Sequence, residues 1–188
     1  MKHISHKQWI LYAALLGFLS ATAMMLVDTY FDSPELLSYT LPGVIYGLAL
    51  YISGILGQLI IGTNRRIGAF IALLTGSTIA WYAAIKSPDY LPLGSGAISL
   101  SQMVLAGFIG AFIISLALIY CWFIKQYRSY FILLITGIGT AVPLLWYGLK
   151  AIGDFFHIEV PNFLFFSFWQ VTLLIGASLF IVKIKMKE

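Results

Sequence analysis

Charged side chains are scarce in this sequence, and its long apolar stretches carry none in their interiors. Lys, Arg, Asp and Glu together make up 10% of the 188 residues, whereas roughly 25% is usual for a soluble domain. A folded chain of this composition could not present a wettable surface, which excludes an ordinary soluble protein. Proton-coupled pumps and charge-lined ion channels carry ionisable side chains at mid-membrane depth, so both classes are disfavoured as well.

Cysteine and catalytic motifs are almost absent too. The single cysteine, Cys121, excludes an intrachain disulfide and a CxxC metal or redox site, and we interpret it as a small core or lipid-facing residue. The sequence has no GxSxG, HExxH, P-loop or EF-hand motif and no pair of aspartates inside an apolar stretch. We therefore expect no catalytic residues, no metal and no cofactor, and we predict that the protein is not an enzyme.

The sequence does contain six apolar stretches, each long enough to cross a bilayer as a helix of about 20 residues. They cover about 9–27, 39–61, 67–85, 100–124, 130–149 and 164–182. Helix is required because lipid offers no hydrogen-bond partner to free backbone groups. The predicted fold class is an all-α integral membrane protein, in which residues 1–188 form one compact domain of six transmembrane helices.

The first apolar stretch has a second interpretation. Lys2 and Lys7 precede it, and Ala21-Thr22-Ala23 resembles a signal-peptidase site. Apolar residues 24–27 continue past that site to full spanning length, which favours an uncleaved transmembrane helix.

Charge is distributed unevenly between the two sets of loops that six spans create. Both chain ends and the alternate loops hold nine basic residues and one acidic residue, whereas the remaining loops hold six acidic residues and two basic ones. By the positive-inside rule the basic set lies in the cytoplasm. We expect a multi-pass protein of the prokaryotic cytoplasmic (inner) membrane, with both termini cytoplasmic and the lipid bilayer around it. The same rule accounts for the basic residues, so nucleic-acid binding is not expected.

Two pairs of segments indicate weak internal repetition. Residues 70–86 and 131–150 both carry Thr-Gly early and Trp-Tyr followed by Lys late, and the second is four residues longer between Thr-Gly and Trp-Tyr. The loop sequences at 32–36 and 86–90 share Ser-Pro followed by an acid, a helix-start signature that predicts a short interfacial helix in each loop. The pattern suggests three weakly similar helical hairpins, related by an axis along the membrane normal.

Small residues recur at every fourth position in several spans, which lets helices approach closely in lipid. In the first span these residues are Ala13, Gly17 and Ala21. Packing within the bundle is the simpler interpretation of most such faces. Because a terminal helix often lies at the edge of a bundle, we put forward this face of the first span as a docking surface for a partner membrane protein.

A candidate ligand site lies at the predicted outer ends of the third and fifth spans. The Trp-Tyr pairs Trp81-Tyr82 and Trp146-Tyr147 occur there, and Gln170 lies about two turns into the sixth span. Aromatic residues at span ends usually form interface belts, and a buried glutamine usually bonds another helix. The alternative is an outward-facing pocket in which both pairs stack on a flat ligand.

Two functional hypotheses follow from these patterns. The first is a non-catalytic accessory or immunity-type subunit that binds another membrane protein, which the small-residue faces and short loops favour. The second is a small-solute-binding or transport component whose pocket opens outward, beside a fifth helix kinked at mid-span Pro143. A concave outer pocket lined by Trp81 and Trp146 would favour the second hypothesis. A filled bundle with an exposed small-residue face would favour the first.

Overall fold

The computed structural model describes residues 4–30, 35–86, 99–122, 124, 127–157 and 163–185. Within these ranges the regular secondary structure is entirely α-helical. The helices are α1 His6–Tyr30, α2 Glu35–Leu56, α3 Thr63–Lys86, α4 Leu100–Cys121, α5 Arg128–Phe155 and α6 Phe163–Lys185. Each of the six apolar stretches of the sequence corresponds to one of these helices.

Five of the helices are long and apolar enough to cross a membrane, and α2 contributes a shorter apolar helix, Thr40–Leu56. Large apolar side chains are exposed on the outside of the bundle, among them Leu11, Ile71, Leu133 and Leu145. So much exposed apolar surface is expected where lipid rather than water surrounds a protein. The predicted fold class, a helical bundle of the multi-pass membrane type, is confirmed.

The helices pack in a closed ring, in which each contacts the next along the chain and α6 returns to contact α1. Glycines bring neighbouring backbones close together. A Cβ atom at Gly17 of α1 would lie 2.8 Å from Cα of Val171 in α6, and one at Gly47 of α2 would lie 2.8 Å from Cα of Leu74 in α3. Because lipid provides little hydrophobic driving force between helices, such close contacts supply much of the association energy.

The two ends of the ring differ in charge. We call one end the basic end, since it holds the start of α1, the α2–α3 and α4–α5 turns and the end of α6. The cations whose side chains the structure describes at this end are Lys7, Arg65, Arg66, Arg128 and Lys183. We call the other the opposite end; it holds the end of α1, α3 and α5 and the start of α2, α4 and α6.

Packed side chains fill the basic end. The Trp9 indole Nε1 donates a hydrogen bond of 2.9 Å to the carbonyl oxygen of Ser53, and the ring centroids of Trp9 and Trp122 are 6.2 Å apart. Trp122 and Ile60 both contact Gly54, where a Cβ atom would lie 2.6 Å and 2.7 Å from their nearest atoms. Both tryptophans and Ile60 are buried, so this end is a tightly packed aromatic and aliphatic plug.

The second helix ends earlier than the sequence predicts. The apolar stretch continues to residue 61, but α2 ends at Leu56, and Gln58 takes a left-handed backbone conformation with φ of +55°. The backbone N–H groups of Leu59 and Ile60 then donate to the carbonyl oxygen of Gly54 at 2.8 and 3.3 Å. The chain therefore folds back as an apolar turn instead of continuing as a helix.

Two further boundaries differ from expectation. The helix α5 continues past the predicted end at 149 to Phe155, because the chain stays helical beyond the apolar stretch, through Lys150 and Asp154. The helix α2 begins at Glu35 and continues to Leu56. The last two residues of the Ser-Pro-acid signature at 32–36 are therefore the first two of α2, and they do not belong to a separate interfacial helix. The matching signature at 86–90 lies almost entirely outside the described residues.

Candidate functional site

A cavity of about 640 Å³ opens between α3, α4, α5 and α6 at the opposite end of the bundle. Its size lies within the roughly 300–1,000 Å³ that is typical of small-molecule sites. The lining consists of Trp81, Ala84 and Ile85 of α3, Gln102, Met103, Ala106 and Gly107 of α4, Trp146, Tyr147, Lys150, Ala151 and Asp154 of α5, and Phe165, Phe166 and Trp169 of α6.

Helical spacing explains why these residues meet. The lining positions of α5 and of α4 each recur at intervals of three and four, which places them on a single face of each helix. Four of them, Ala84, Ala106, Gly107 and Ala151, have little or no side chain. Helices that pack closely elsewhere therefore leave open space between these faces.

The helix α4, which carries one wall, is held in place at two points. A capping box fixes its first turn: the backbone N–H of Ser99 donates to Gln102 Oε1 at 2.8 Å, and the backbone N–H of Gln102 donates to Ser99 Oγ at 3.3 Å. One turn deeper, a Cβ atom at Gly107 would collide with the carbonyl oxygen of Gly139. This glycine contact brings α4 and α5 together at the base of the cavity.

Four aromatic rings link α3 to α5 through α6 along the cavity wall. The ring centroids of Trp81 and Phe166 are 5.1 Å apart, those of Phe166 and Phe165 are 5.2 Å apart, and those of Phe165 and Trp146 are 6.0 Å apart. All three pairs are tilted or edge-on, the arrangement that the aromatic quadrupole favours, at about 0.5–1.5 kcal/mol for each pair. The wall is therefore both aromatic and preorganised.

Trp169 forms the floor of the cavity. Its side chain is 7% exposed, its ring centroid is 5.9 Å from that of Tyr46 in α2, and its Cζ2 lies 3.2 Å from where a Cβ atom would stand at Gly110. Trp169 is about 9 Å along α6 from its first residue. Toward the basic end, Leu173 and Leu174 are completely buried, so the cavity ends at this tryptophan.

Charge is confined to the mouth of the cavity. Lys150 and Asp154 are both exposed and lie one helical turn apart on α5. Neither forms an ion pair with another residue in the described ranges, which leaves a cation and a carboxylate free at the rim. The deeper lining is aromatic, aliphatic or glycine, with Gln102 engaged in capping α4.

Two indole N–H groups of the lining lack a hydrogen-bond acceptor. The Nε1 atoms of Trp81 and Trp169 are buried, and no acceptor for either occurs among the residues that the structure describes. A buried donor without a partner costs about 1–3 kcal/mol.

The structure brings together three of the five residues predicted as a ligand site. Trp81, Trp146 and Tyr147 all line the cavity. Tyr82 lies outside the lining, and its side chain is 46% exposed on the surface of the bundle. Residues 81 and 82 point about 100° apart around α3, so only the tryptophan faces inward.

Gln170, the fifth residue predicted for the ligand site, lies elsewhere. It is completely buried, it accepts a hydrogen bond from Ser20 Oγ, and its Nε2 lies 2.8 Å from Met24 Sδ. The Tyr46 hydroxyl also donates to its backbone carbonyl oxygen at 3.3 Å. Gln170 thus bonds α6 to α1 and α2, the interhelical role expected of a buried glutamine.

The small-residue face of α1 is an internal packing surface. Ala13, Gly17 and Ala21 are buried, and Gly17 packs directly against the α6 backbone. The face that the sequence suggested for a partner is therefore occupied by α6 of the same chain, because α1 and α6 close the ring. A partner could dock there only by displacing α6.

Several lining residues were not predicted from the sequence as part of this site. Phe165, Phe166 and Trp169 belong to a segment that is apolar on all sides, so periodicity does not mark an inward face. Lys150 and Asp154 fall beyond the predicted end of the fifth span. Their spacing of four, in phase with Trp146, was the available signal that they continue the same helical face.

Neither possible metal ligands nor comparison with known proteins indicates a function for the cavity. Within the described ranges, no group of three or more His, Cys, Asp or Glu side chains could hold a metal ion. Comparison of the chain with protein families, curated proteins and solved structures finds no match. The cavity and its lining are therefore the features from which a function can be inferred.

Proposed function

We propose that this protein binds a small organic molecule in the cavity between α3 and α6, as a solute-binding or transport component of a membrane. The observation that carries the proposal is a 640 Å³ space with an aromatic wall and charged rim. Protein interiors pack to near-crystalline density, and small-molecule sites are typically apolar clefts of this size with a few polar groups. Trp81 and Trp146 on its wall favour the second of the two hypotheses drawn from the sequence.

The direction in which the cavity faces follows from charge. Five basic residues lie at the end of the bundle remote from the cavity, and the positive-inside rule assigns that end to the cytoplasm. We infer a prokaryotic inner-membrane protein with cytoplasmic termini, whose cavity faces away from the cytoplasm. The plug around Trp9 and Trp122 fills the cytoplasmic end, so we infer a one-sided site rather than an open pore.

We further infer that the site binds rather than catalyses. Its two charged side chains, Lys150 and Asp154, are exposed at the rim, where solvent surrounds them. General acid–base or nucleophilic catalysis needs such groups close to the reacting atoms and held by neighbours. The deep lining instead offers aromatic and aliphatic surface, which suits recognition.

The test compares two alanine-to-phenylalanine variants. Ala106→Phe places a ring in the cavity, whereas Ala141→Phe adds the same ring on the exposed surface of α5. The protein is purified under mild conditions, extracted with organic solvent and analysed by mass spectrometry for small molecules. We expect a molecule that the wild type and Ala141→Phe carry and Ala106→Phe lacks. Identical extracts from all three proteins would refute the proposal.

A membrane-protein partner is the second candidate function, and one surface favours it. On the outside of α5, Gly137, Ala141 and Gly148 are exposed, and a Cβ atom at either glycine would meet nothing within 4 Å. Small residues at this spacing allow close approach of another helix. Gly137→Leu should abolish co-purification of a partner, whereas Gly68→Leu on the exposed side of α3 should not. A wild-type protein that always purifies as a lone monomer would contradict this candidate.

A further inference from the structure

We propose that the cavity binds a zwitterion with an aromatic side chain, of the class of an aromatic amino acid, whose carboxylate lies beside Lys150 and whose ammonium group lies beside Asp154. The inference rests on the proposed function, because it names the chemical class of molecule for the same site. Two features of the lining carry it: a pair of opposite charges at the mouth, and an accessible aromatic wall one helical turn deeper.

The two charges at the mouth are open to a bound molecule. Lys150 and Asp154 lie four residues apart on α5, so they are on the same face of that helix. Both line the cavity, and both side chains are exposed. They form no ion pair with each other, and a basic residue four positions before an acidic one is the less favourable order for such a pair. A ligand with one group of each sign supplies the counter-charge that each side chain lacks within the described ranges.

The helix ends at the mouth have the same distribution of charge. Asp154 lies in the last turn of α5, which ends at Phe155, where the negative end of the helix dipole also favours a cation. The helix α4 begins at Leu100, and Gln102 and Met103 of its first turn line the cavity, so the positive end of its dipole lies beside the same space. A molecule with both signs of charge matches this field, whereas a singly charged molecule matches only one part of it.

The aromatic wall determines the side chain of the ligand. Trp146 lies one turn deeper than Lys150 on the same face of α5, about 6 Å along the helix axis. A ring at that depth gains an attraction from tilted aromatic neighbours in addition to burial, whereas a saturated chain gains burial alone. A linker of one or two carbons joins a ring at this depth to charged groups at the mouth. Four further aromatic residues line the cavity with partly exposed side chains: Trp81, Tyr147, Phe165 and Phe166.

The orientation of the bound molecule follows from where charge occurs in the lining. Lys150 is the deepest charged residue of the described lining, and the residues below it are aromatic, aliphatic or glycine apart from Gln102. An ionised group on the floor would have no counter-charge, and an unpaired buried charge is strongly disfavoured. The ring therefore points toward the floor, and both ionised groups stay at the mouth.

Three probes that share an indole ring separate the two charges. L-Tryptophan carries both ionised groups, tryptamine lacks the carboxylate and indolepropionate lacks the ammonium group, while L-alanine is the zwitterion without a ring. Binding of each probe is measured by equilibrium dialysis against the protein in phosphatidylcholine nanodiscs. Nanodiscs that contain Ala106→Phe, whose added ring occupies the cavity, give the background for partition into lipid.

Two variants each remove one charge from the mouth. Lys150→Gln removes the cation and Asp154→Asn removes the carboxylate, and both positions are exposed, so we expect both variants to fold. The matched control is Arg66→Gln, which removes an exposed cation at the basic end of the bundle.

We expect L-tryptophan to bind the wild type about two- to fivefold more tightly than either indole analogue, the range that a solvent-exposed ion pair provides. Lys150→Gln should remove the preference over tryptamine and retain the preference over indolepropionate. Asp154→Asn should do the reverse, and Arg66→Gln should keep both preferences. A general change in the shape of the cavity does not produce this crossed pattern, because it would affect all three indole probes alike.

Other results would overturn the inference. Equal binding of the three indole probes to the wild type, or a preference that neither Lys150→Gln nor Asp154→Asn changes, would remove the role of the two charges. L-Alanine binding as tightly as L-tryptophan would remove the role of the aromatic wall. Failure of all four probes, while solvent extraction still finds a molecule that depends on Ala106, would refute the zwitterion class but keep the site. Absence of any such molecule would instead refute the proposed function.

Discussion

Two neighbouring residues of α6, Trp169 and Gln170, face different parts of the protein. Trp169 faces the cavity, whereas Gln170, rotated by about 100° around the helix, bonds Ser20 and Met24 of α1. One side of α6 thus presents an aromatic floor, and the adjacent side holds a buried polar connection. The connection fixes the rotation of α6, and with it the position of Trp169.

The hydrogen bond between Ser20 and Gln170 should therefore contribute to stability. In a double-mutant cycle with Ser20→Ala and Gln170→Leu, we expect a coupling free energy of about 0.6–2 kcal/mol, as for other hydrogen bonds between transmembrane helices. Unfolding in sodium dodecyl sulfate, followed by circular dichroism, gives the four stabilities. Strict additivity of the two single variants would contradict this role.

The two tyrosines that follow Trp81 and Trp146 should differ in effect. Tyr147 lines the cavity, and Tyr82 does not, although their sequence contexts are alike. Tyr147→Leu should reduce by about three- to tenfold, through the lost ring contact, the amount of co-purified small molecule that solvent extraction recovers, and Tyr82→Leu should leave that amount unchanged. Equal effects of the two variants in the same extraction would show that the cavity contacts are assigned to the wrong face of α3 or α5.

For single residues, the sequence predicts part of the cavity lining. Trp81, Trp146 and Tyr147 were identifiable because large aromatic residues at the ends of two spans suggested a common outer rim. Tyr82 and Gln170 were grouped with them because linear position shows depth in the membrane but not rotation about the helix axis. Trp169 could not be identified as a lining residue for the same reason, because apolar residues occur on every face of its helix.

Among the helices, the pairing of α1 with α6 closes the ring and depends on Gly17. Its position is so close to Val171 that a Cβ atom would lie 2.8 Å from the α6 backbone. Backbone cannot move aside as a flexible side chain can, so even one methyl group would separate the two helices. This explains why the small residues of α1 repeat at every fourth position.

We therefore expect Gly17→Ala to destabilise the protein by about 1–3 kcal/mol, the usual cost of overpacking. Gly68→Ala is the matched control, since nothing lies within 4 Å of the added methyl group and alanine favours helix over glycine. It should unfold no earlier than the wild type in sodium dodecyl sulfate. If both variants matched the wild type, the close α1–α6 contact would be wrong.

The number and class of the helices could be predicted from hydropathy, but their ends could not. Leu59, Ile60 and Ile61 extend the second apolar stretch, yet they form a turn after Gln58. Conversely, Lys150 and Asp154 lie outside the fifth apolar stretch and are still helical. Hydropathy reports the preferred solvent of a residue, whereas helix ends are set by backbone hydrogen bonds and left-handed turns.

The whole molecule is asymmetric along its axis, with a filled basic end and a cavity at the opposite end. An unfilled cavity costs stability, and a ligand that binds only the folded state restores it by mass action. The small molecule that solvent extraction identifies, at a hundredfold excess over its dissociation constant, should raise the free energy of unfolding by about 2.7 kcal/mol.

Ala106→Phe should respond differently to the same titration. Because its ring occupies the cavity, this variant should show no stabilisation by that molecule, while Ala141→Phe responds like the wild type. The unfolding transitions of the three proteins with and without the molecule make the comparison. Equal stabilisation of Ala106→Phe would place the binding site outside the cavity.

The most direct test of the account is whether the cavity is reached from the non-cytoplasmic side. In a Cys121→Ala background, cysteines at Ala106 in the cavity, Ala141 on the lipid-facing side of α5 and Ser129 at the basic end are exposed to a membrane-impermeant thiol reagent in intact cells. We expect labelling at position 106, none at 141, and labelling at 129 only after the cells are permeabilised. Labelling at 129 but not at 106 in intact cells would contradict it.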